Sequence, residues 1–134
     1  MGASGADPGA TGSLKRFLLG FVFAARGIVY VLRTQRNARV HLMIAGAVVL
    51  AGWCFRISAT QWAIIAVTSG LVFGAEMFNT VIEMAVDLLT RRQHPMARAA
   101  KDVAAGAVLV TAIAAVAVGG AIFGPRLWAL LVRH

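Results

Sequence analysis

Three carboxylates and an asparagine interrupt an otherwise apolar stretch at residues 74–89, GAEMFNTVIEMAVDLL. The chain has only five acidic residues, and Glu76, Glu83 and Asp87 all lie within this stretch. On a helix that turns about 100° per residue, these three carboxylates and Asn79 fall within an arc of about 80°. Such a face cannot be directed at lipid, so we expect it to line a polar cavity or to meet other charged groups.

The spacing of these carboxylates separates two chemical roles. Glu83 lies about 10 Å along the helix from Glu76, which is too far for both to hold one ion easily. Carboxylates of this kind bind Mg²⁺, a deeper carboxylate can act as a base, and Lys101 beside Asp102 adds a cation of the type that phosphates require. The set predicts phosphoryl transfer at a membrane surface, although no GxxxxGK[ST] or GxGxxG loop is present in the sequence. A structural ion-pair network with Lys101 or Arg39 is the alternative.

The composition indicates that this helix belongs to an integral membrane protein. Hydrophobic residues make up 60% of the chain, charged residues only 13%, and the mean hydropathy is +0.80. Soluble domains average roughly 45–50% apolar and about 25% charged residues. The formal net charge is +8, but the Lys and Arg residues flank apolar segments, as membrane anchors do, so we expect no nucleic-acid partner.

The apolar runs predict an all-α membrane protein with three transmembrane helices and an amphipathic surface helix. The predicted segments are a disordered tail at 1–12, a surface helix at about 13–36, spans at about 38–56, 61–90 and 102–123, and a C-terminal tail at 127–134. A short tilted span is the alternative for 13–36. Lys and Arg concentrate at 15–39 and at 91–101, which predicts a cytoplasmic N-terminus. Residues 13–126 would then form one domain.

Two long motifs bring a resemblance to a known family. The motif AEMFNTVIEMAVDLL is followed by ARAAKDVAAGAVLV, and FAARGIVYVLRTQRNARVHL precedes both. Together they resemble the prokaryotic diacylglycerol kinase family, which includes undecaprenol kinases, over about residues 14–124. The resemblance implies a homotrimer in the bacterial inner membrane, with composite active sites on the cytoplasmic side. It also implies transfer of the γ-phosphate of ATP, with Mg²⁺, to a lipid alcohol.

The resemblance also implies a role for each site residue. Glu76 matches the proposed general base, and Glu83 matches a metal-binding glutamate. The residues that match the nucleotide and phosphate site are Asn79, Asp87, Lys101 and Asp102, and Arg39 matches a supporting arginine. Gln35 departs from the pattern, because better-known members carry a second metal-binding glutamate there. An amide oxygen coordinates Mg²⁺ without a charge, so we expect weaker metal binding.

The lipid acceptor and two rival functions stay open at this point. We expect undecaprenol as the acceptor because QRNARVH and AKDVAAGAV resemble the undecaprenol kinase branch, with diacylglycerol as the alternative. A small proton-coupled exporter would favour four spans and one key carboxylate in the first, whereas this chain groups its acids in the second predicted span. Gln35 leaves room for a catalytically silent homologue. His41, near the start of the first span, is interpreted as an interfacial polar residue, with a contact to the site as the alternative.

Overall fold

The chain folds into helices joined by short connections. The computed structural model describes the backbone of residues 8–90 and 94–132, and the side chains of residues 15–90 and 94–132. In those ranges the chain forms α1 (Pro8–Thr34), α2 (Arg36–Cys54), α3 (Ala59–Leu89) and α4 (Pro95–Val132), and no strand. All four helices contain a segment long and apolar enough to cross a membrane. The predicted all-α membrane class is confirmed at this level.

Helix α1 forms a structural unit of its own, which ends at Thr34. It begins at Pro8, so part of the segment predicted as a tail is helical, and residues 1–7 lie outside the described part of the chain. The Phe17 and Phe21 rings meet edge to face with centroids 5.2 Å apart. The guanidinium of Arg26 lies 5.8 Å from the centroid of the Phe23 ring. Because the segment Lys15–Thr34 is long and apolar enough to span a membrane, the predicted surface placement stays a prediction.

The second unit contains α2, α3 and α4, and a tight turn joins α2 to α3. Arg56 in this turn has a φ of 48°, and Ser58 then caps α3 by accepting a hydrogen bond from the Gln61 amide. The Gln61 side chain accepts from the Ser58 amide in return, which completes a capping box. Helices α2 and α3 start and stop within two residues of the predicted spans.

A small apolar cluster packs the three helices at the end that contains this turn. Ile57, Ile65 and Ile122 are buried there, and partly buried aromatic and aliphatic side chains surround them. Gly52 allows the close approach, because a Cβ at that position would lie 2.7 Å from Cη2 of Trp62. The glycine therefore sets how closely α2 can lie to α3.

Helix α4 is longer at both ends than the predicted span 102–123. It begins at Pro95, inside the basic segment 91–101 that precedes the predicted span, and residues 91–93 lie outside the described ranges. Proline is well tolerated at the first helical position because its missing N–H has no partner there in any helix. The segment predicted as a C-terminal tail is helical as far as Val132.

Helix α3 lies between the other two helices of this unit and packs against both. The residues of α2 with reduced exposure follow helical spacing along one face: Ala38, His41, Ala45, Val48, Ala51 and Gly52. On α3 the buried residues are Ile65, Val72, Glu76, Asn79 and Thr80. Glu76 and Asn79 of the opening motif therefore lie in the packed region of α3, at the end distant from the apolar cluster.

Candidate functional site

The central residue of the site is Glu76, a carboxyl group buried in the middle of an apolar helix. Its side chain is 1% exposed. Its Oε2 atom is buried and has no hydrogen-bond partner among the described residues. A buried polar atom without a hydrogen-bond partner lowers the stability of the fold, so such an atom often has a functional role. The carboxyl group is thus available to a hydroxyl group that reaches this position.

Asn79 and Glu83 form a connected pair one turn further along α3. Asn79 Nδ2 donates a hydrogen bond of 3.0 Å to Glu83 Oε1. Asn79 is 7% exposed, and its Oδ1 atom is the other buried side-chain acceptor without a partner in the described ranges. The bond to Glu83 orients the amide so that Oδ1 faces away from that carboxylate, which leaves an oxygen ligand free.

Thr80 is buried beside these residues and was not singled out from the sequence. It is 1% exposed, and its hydroxyl donates a hydrogen bond of 2.9 Å to the Glu76 carbonyl oxygen. Its position four residues after Glu76, on the same helix face as the candidate residues, is the signal that could have identified it. Because its hydroxyl is satisfied within the helix, Thr80 supports the backbone at Glu76 and offers no free donor.

Asp87 and Lys101 connect the end of α3 to the beginning of α4. The distance from Lys101 Nζ to Asp87 Oδ1 is 2.5 Å. Their side chains are 36% and 66% exposed, for Lys101 and Asp87 respectively. The ion pair corresponds to the Lys101 part of the structural ion-pair network that the sequence left as an alternative. Both residues lie at the rim of the packed unit. Asp102 follows directly and is exposed.

The predicted residues on α2 lie at its first turn. Gln35 is the N-cap residue of α2, yet its side chain makes no capping hydrogen bond. It is partly buried, whereas Arg39 is exposed. Within the described ranges, no three His, Cys, Asp or Glu side chains are grouped to hold a metal ion. Any metal here would therefore need ligands beyond the acidic side chains of one chain.

Helix register places the first turn of α2 beside the buried part of α3. The two helices are joined by a short turn, run in opposite directions and approach closely where Gly52 meets Trp62. Counting 14 residues back from Gly52 and 14 forward from Trp62 brings Ala38 level with Glu76, since both helices rise about 1.5 Å per residue. Ala38 is 0% exposed, so it lies on the packed face of α2 at this level. By the same count Gln35 is level with Asn79.

Two charged or titratable side chains act electrostatically on the Glu76 carboxyl group, namely His41 and Glu83. Glu83 belongs to the same helix and has the same charge type. His41 lies on the packed face of α2, three residues from Ala38. The structure therefore favours the alternative reading of His41 as a neighbour of the site.

Comparisons with known proteins identify relatives that cover most of the chain. The family model for prokaryotic diacylglycerol kinase matches residues 22–123. The chain is 46% identical over 114 residues to the undecaprenol kinase of Bacillus subtilis, covering 85% of this chain and 93% of that enzyme. It is 44% identical over 116 residues to the diacylglycerol kinase of Synechocystis sp., covering 86% of this chain and 66% of that enzyme.

The family match contains every candidate site residue, from Gln35 on α2 to Asp102 on α4. It also spans all of α2 and α3 and most of α4. On this evidence the chain belongs to the prokaryotic diacylglycerol kinase family, a family of lipid kinases.

Proposed function

We propose that this lipid kinase transfers the γ-phosphate of ATP to the hydroxyl group of undecaprenol, with Mg²⁺, at the cytoplasmic surface of the bacterial inner membrane. The observation that carries the proposal is the buried Glu76 carboxyl group, whose Oε2 atom has no partner among the described residues. A lipid alcohol is the substrate type that reaches such a position from the apolar surroundings of α3.

Glu76 acts as the general base in this proposal. Its carboxylate accepts the proton of the lipid hydroxyl while that oxygen forms a bond to the γ-phosphorus. The bond from the γ-phosphorus to the bridging oxygen breaks, and ADP leaves. Because Glu76 is 1% exposed, water has little access to the carboxylate, which favours transfer to the lipid over ATP hydrolysis.

Glu83 and Asn79 are the residues proposed to hold Mg²⁺. The carboxylate of Glu83 and the free amide oxygen of Asn79 are hard oxygen donors of the kind that Mg²⁺ requires. Bound there, Mg²⁺ supplies positive charge that offsets the charge of the phosphates. Kinase sites usually bind Mg²⁺ through one or two carboxylates plus phosphate oxygens, so a site without three grouped acidic side chains fits. Gln35, level with Asn79, is proposed as an uncharged ligand.

The rim residues are proposed to bind the nucleotide. Lys101 is already held by Asp87 at 2.5 Å and lies at the cytoplasmic end in the proposed orientation. Its ammonium group is positioned to pair with phosphate oxygens, while Asp87 and Asp102 provide acceptors for the rest of the nucleotide. Arg39 is proposed as a supporting cation on α2.

The proposed membrane arrangement has three spans, formed by α2, α3 and α4, with α1 at the cytoplasmic interface. Arg26 in the middle of α1 favours this placement, because a charge at the centre of a bilayer is costly. We also propose a homotrimer. Gly70 and Gly74 on α3 and Gly120 and Gly124 on α4 have open space where a Cβ would lie, so a second copy can approach there.

Undecaprenol is proposed as the acceptor in preference to diacylglycerol. The alignment with the B. subtilis undecaprenol kinase covers 93% of that enzyme, and the alignment with the Synechocystis diacylglycerol kinase covers 66% of that one.

The test uses purified full-length protein in mixed micelles with Mg²⁺-ATP and equal amounts of the two lipids. We expect kcat/KM for undecaprenol to exceed that for diacylglycerol by about ten-fold or more, which is about 1.4 kcal/mol of transition-state preference. A preference for diacylglycerol would reverse the assignment of the acceptor. Absence of phosphate transfer to either lipid would contradict the proposed function itself.

A further inference from the structure

The negative charge of a Glu76 carboxylate needs an electrostatic partner, and α3 supplies only a second carboxylate near it. Its Oε2 atom is buried without a hydrogen-bond partner among the described residues. Of the two side chains that act on it electrostatically, Glu83 carries the same type of charge. A buried carboxylate next to another carboxylate is destabilised unless an opposite charge or a donor compensates it. Only His41, the second of these two side chains, is of the compensating type.

The position of His41 on α2 agrees with such a role. It lies on the packed face of α2, three residues after Ala38, which is 0% exposed. The helix register brings Ala38 level with Glu76, so His41 is offset from Glu76 by about 4.5 Å, or three residues, along the helix axis. No other residue on the packed face of α2, from Ala38 to Gly52, is ionisable.

We propose that His41 is a positioning residue for Glu76, supplying from α2 the electrostatic partner that this buried carboxylate lacks on its own helix. This role rests on the proposed function, in which Glu76 accepts the proton of the lipid hydroxyl. His41 does not touch the reacting atoms; it acts through the carboxylate. The consequence is that its removal lowers kcat for phosphate transfer, whereas KM for ATP, which is set by the rim residues, stays the same.

The kinetic test compares three substitutions in the full-length protein, with undecaprenol and Mg²⁺-ATP. We expect His41→Gln to lower kcat by about ten-fold or more with KM for ATP within two-fold of wild type. His41→Lys, which places a cation at this position, is expected to be less impaired than His41→Gln and to show a loss in kcat of about three-fold or less. Val48→Ala, on the same face of α2, is the control for lost packing and is expected to stay within two-fold of wild type.

A second readout is independent of activity. In protein labelled with ¹⁵N-histidine, Glu76→Gln is expected to change the ring-nitrogen chemical shifts of His41, whereas Thr68→Val on the same helix leaves them unchanged. The three histidines of the chain are distinguished by His94→Gln and His134→Gln variants. This experiment reports on the pair even if wild type transfers no phosphate to lipid.

The two readouts separate the failure of this inference from the failure of the proposed function. An active wild type whose His41→Gln variant keeps its kcat, or loses as much as the Val48→Ala control, overturns the role of His41 and leaves the kinase function intact. If Glu76→Gln leaves the ring-nitrogen chemical shifts of His41 unchanged, the proposed role of His41 is overturned as well. A wild type without lipid kinase activity that still shows the shift change keeps the electrostatic pair and contradicts the proposed function.

Discussion

Lys101 Nζ lies 2.5 Å from Asp87 Oδ1, so the first turns of α4 are joined to the last turn of α3 by an ion pair. At the other end of the same two helices, Arg126 Nη2 donates a hydrogen bond of 2.8 Å to Gln61 Oε1. The contacts are 26 residues apart on α3 and 25 apart on α4, so the two helices keep one antiparallel register between them. One contact lies at the proposed nucleotide site and the other lies far from it, which gives them different expected effects.

The Lys101→Met substitution is expected to weaken nucleotide binding more than folding. The ion pair is partly exposed, and pairs of this kind contribute about 0–1 kcal/mol to stability. A charge-assisted bond to phosphate is worth more, about 1.5–3 kcal/mol. We therefore expect KM for ATP to rise about ten-fold or more, while the thermal midpoint in detergent changes little. Lys101→Arg, which keeps the charge, serves as the control. An unchanged KM in the Met variant would contradict the phosphate-binding role.

The Arg126→Met substitution is expected to lower the free energy of unfolding and to leave KM for ATP unchanged. Arg126 also donates to the carbonyl oxygen of Ile122, so it connects α4 with the capping box of α3. Loss of these partly buried charge-assisted bonds is expected to reduce the free energy of unfolding by about 1–3 kcal/mol. Gln61 is 15 residues, or about 22 Å, from Glu76 along α3, so KM for ATP should stay within two-fold. Denaturant titration in micelles measures the first quantity, and a large change in KM without destabilisation would contradict this account.

The Gly52→Ala substitution tests how closely α2 and α3 approach. Its Cβ would lie 2.7 Å from Cη2 of Trp62 and 3.0 Å from Cδ1 of Ile57, so both side chains would have to move. Overpacking of this kind destabilises by about 1–3 kcal/mol. Gly46→Ala, in the same helix with open space at the Cβ position, is the matched control. Equal stability of the two variants would show that α2 and α3 do not approach as described.

The helices of the second unit could be predicted from the sequence because continuous apolar runs and flanking charges mark them. The face of α3 that contains Glu76, Asn79 and Glu83 could be predicted as well, since a helical period fixes the angle between residues. The full length of α4 could not be predicted, because hydropathy identifies only the apolar middle of a helix. In addition, a proline such as Pro95 usually marks a break in a helix, whereas here it occupies the first helical position.

The contacts between helices could not be predicted from the sequence, for a different reason. The bond from Arg126 to Gln61 and the level of His41 relative to Glu76 depend on the register of antiparallel helices. That register follows from contacts such as the one between Gly52 and Trp62, which no periodicity within a single helix reveals. Thr80 was missed because a threonine in an apolar helix usually bonds to its own backbone, as it does here.

The Gln35→Glu substitution is expected to strengthen the proposed metal site. The Gln35 side chain makes no capping hydrogen bond, so its replacement removes no helix cap. A carboxylate near the start of α2 also interacts favourably with the helix dipole. We expect the Mg²⁺ concentration for half-maximal activity to fall, with the fold change measured by titration at saturating ATP. Gln35→Met, which removes the oxygen ligand, should raise it. Identical Mg²⁺ dependence in all three proteins would remove Gln35 from the site.

The central claim is that the Glu76 carboxylate accepts the proton of the lipid hydroxyl during phosphate transfer. The most direct measurement is the transfer rate from Mg²⁺-ATP to undecaprenol by purified Glu76→Gln protein, with Thr68→Val on the same helix as the control. General-base catalysis contributes about 10²–10⁴-fold, so we predict a loss of at least 100-fold for Glu76→Gln and a rate within two-fold of wild type for Thr68→Val. A folded Glu76→Gln protein that transfers phosphate at the wild-type rate would contradict the account.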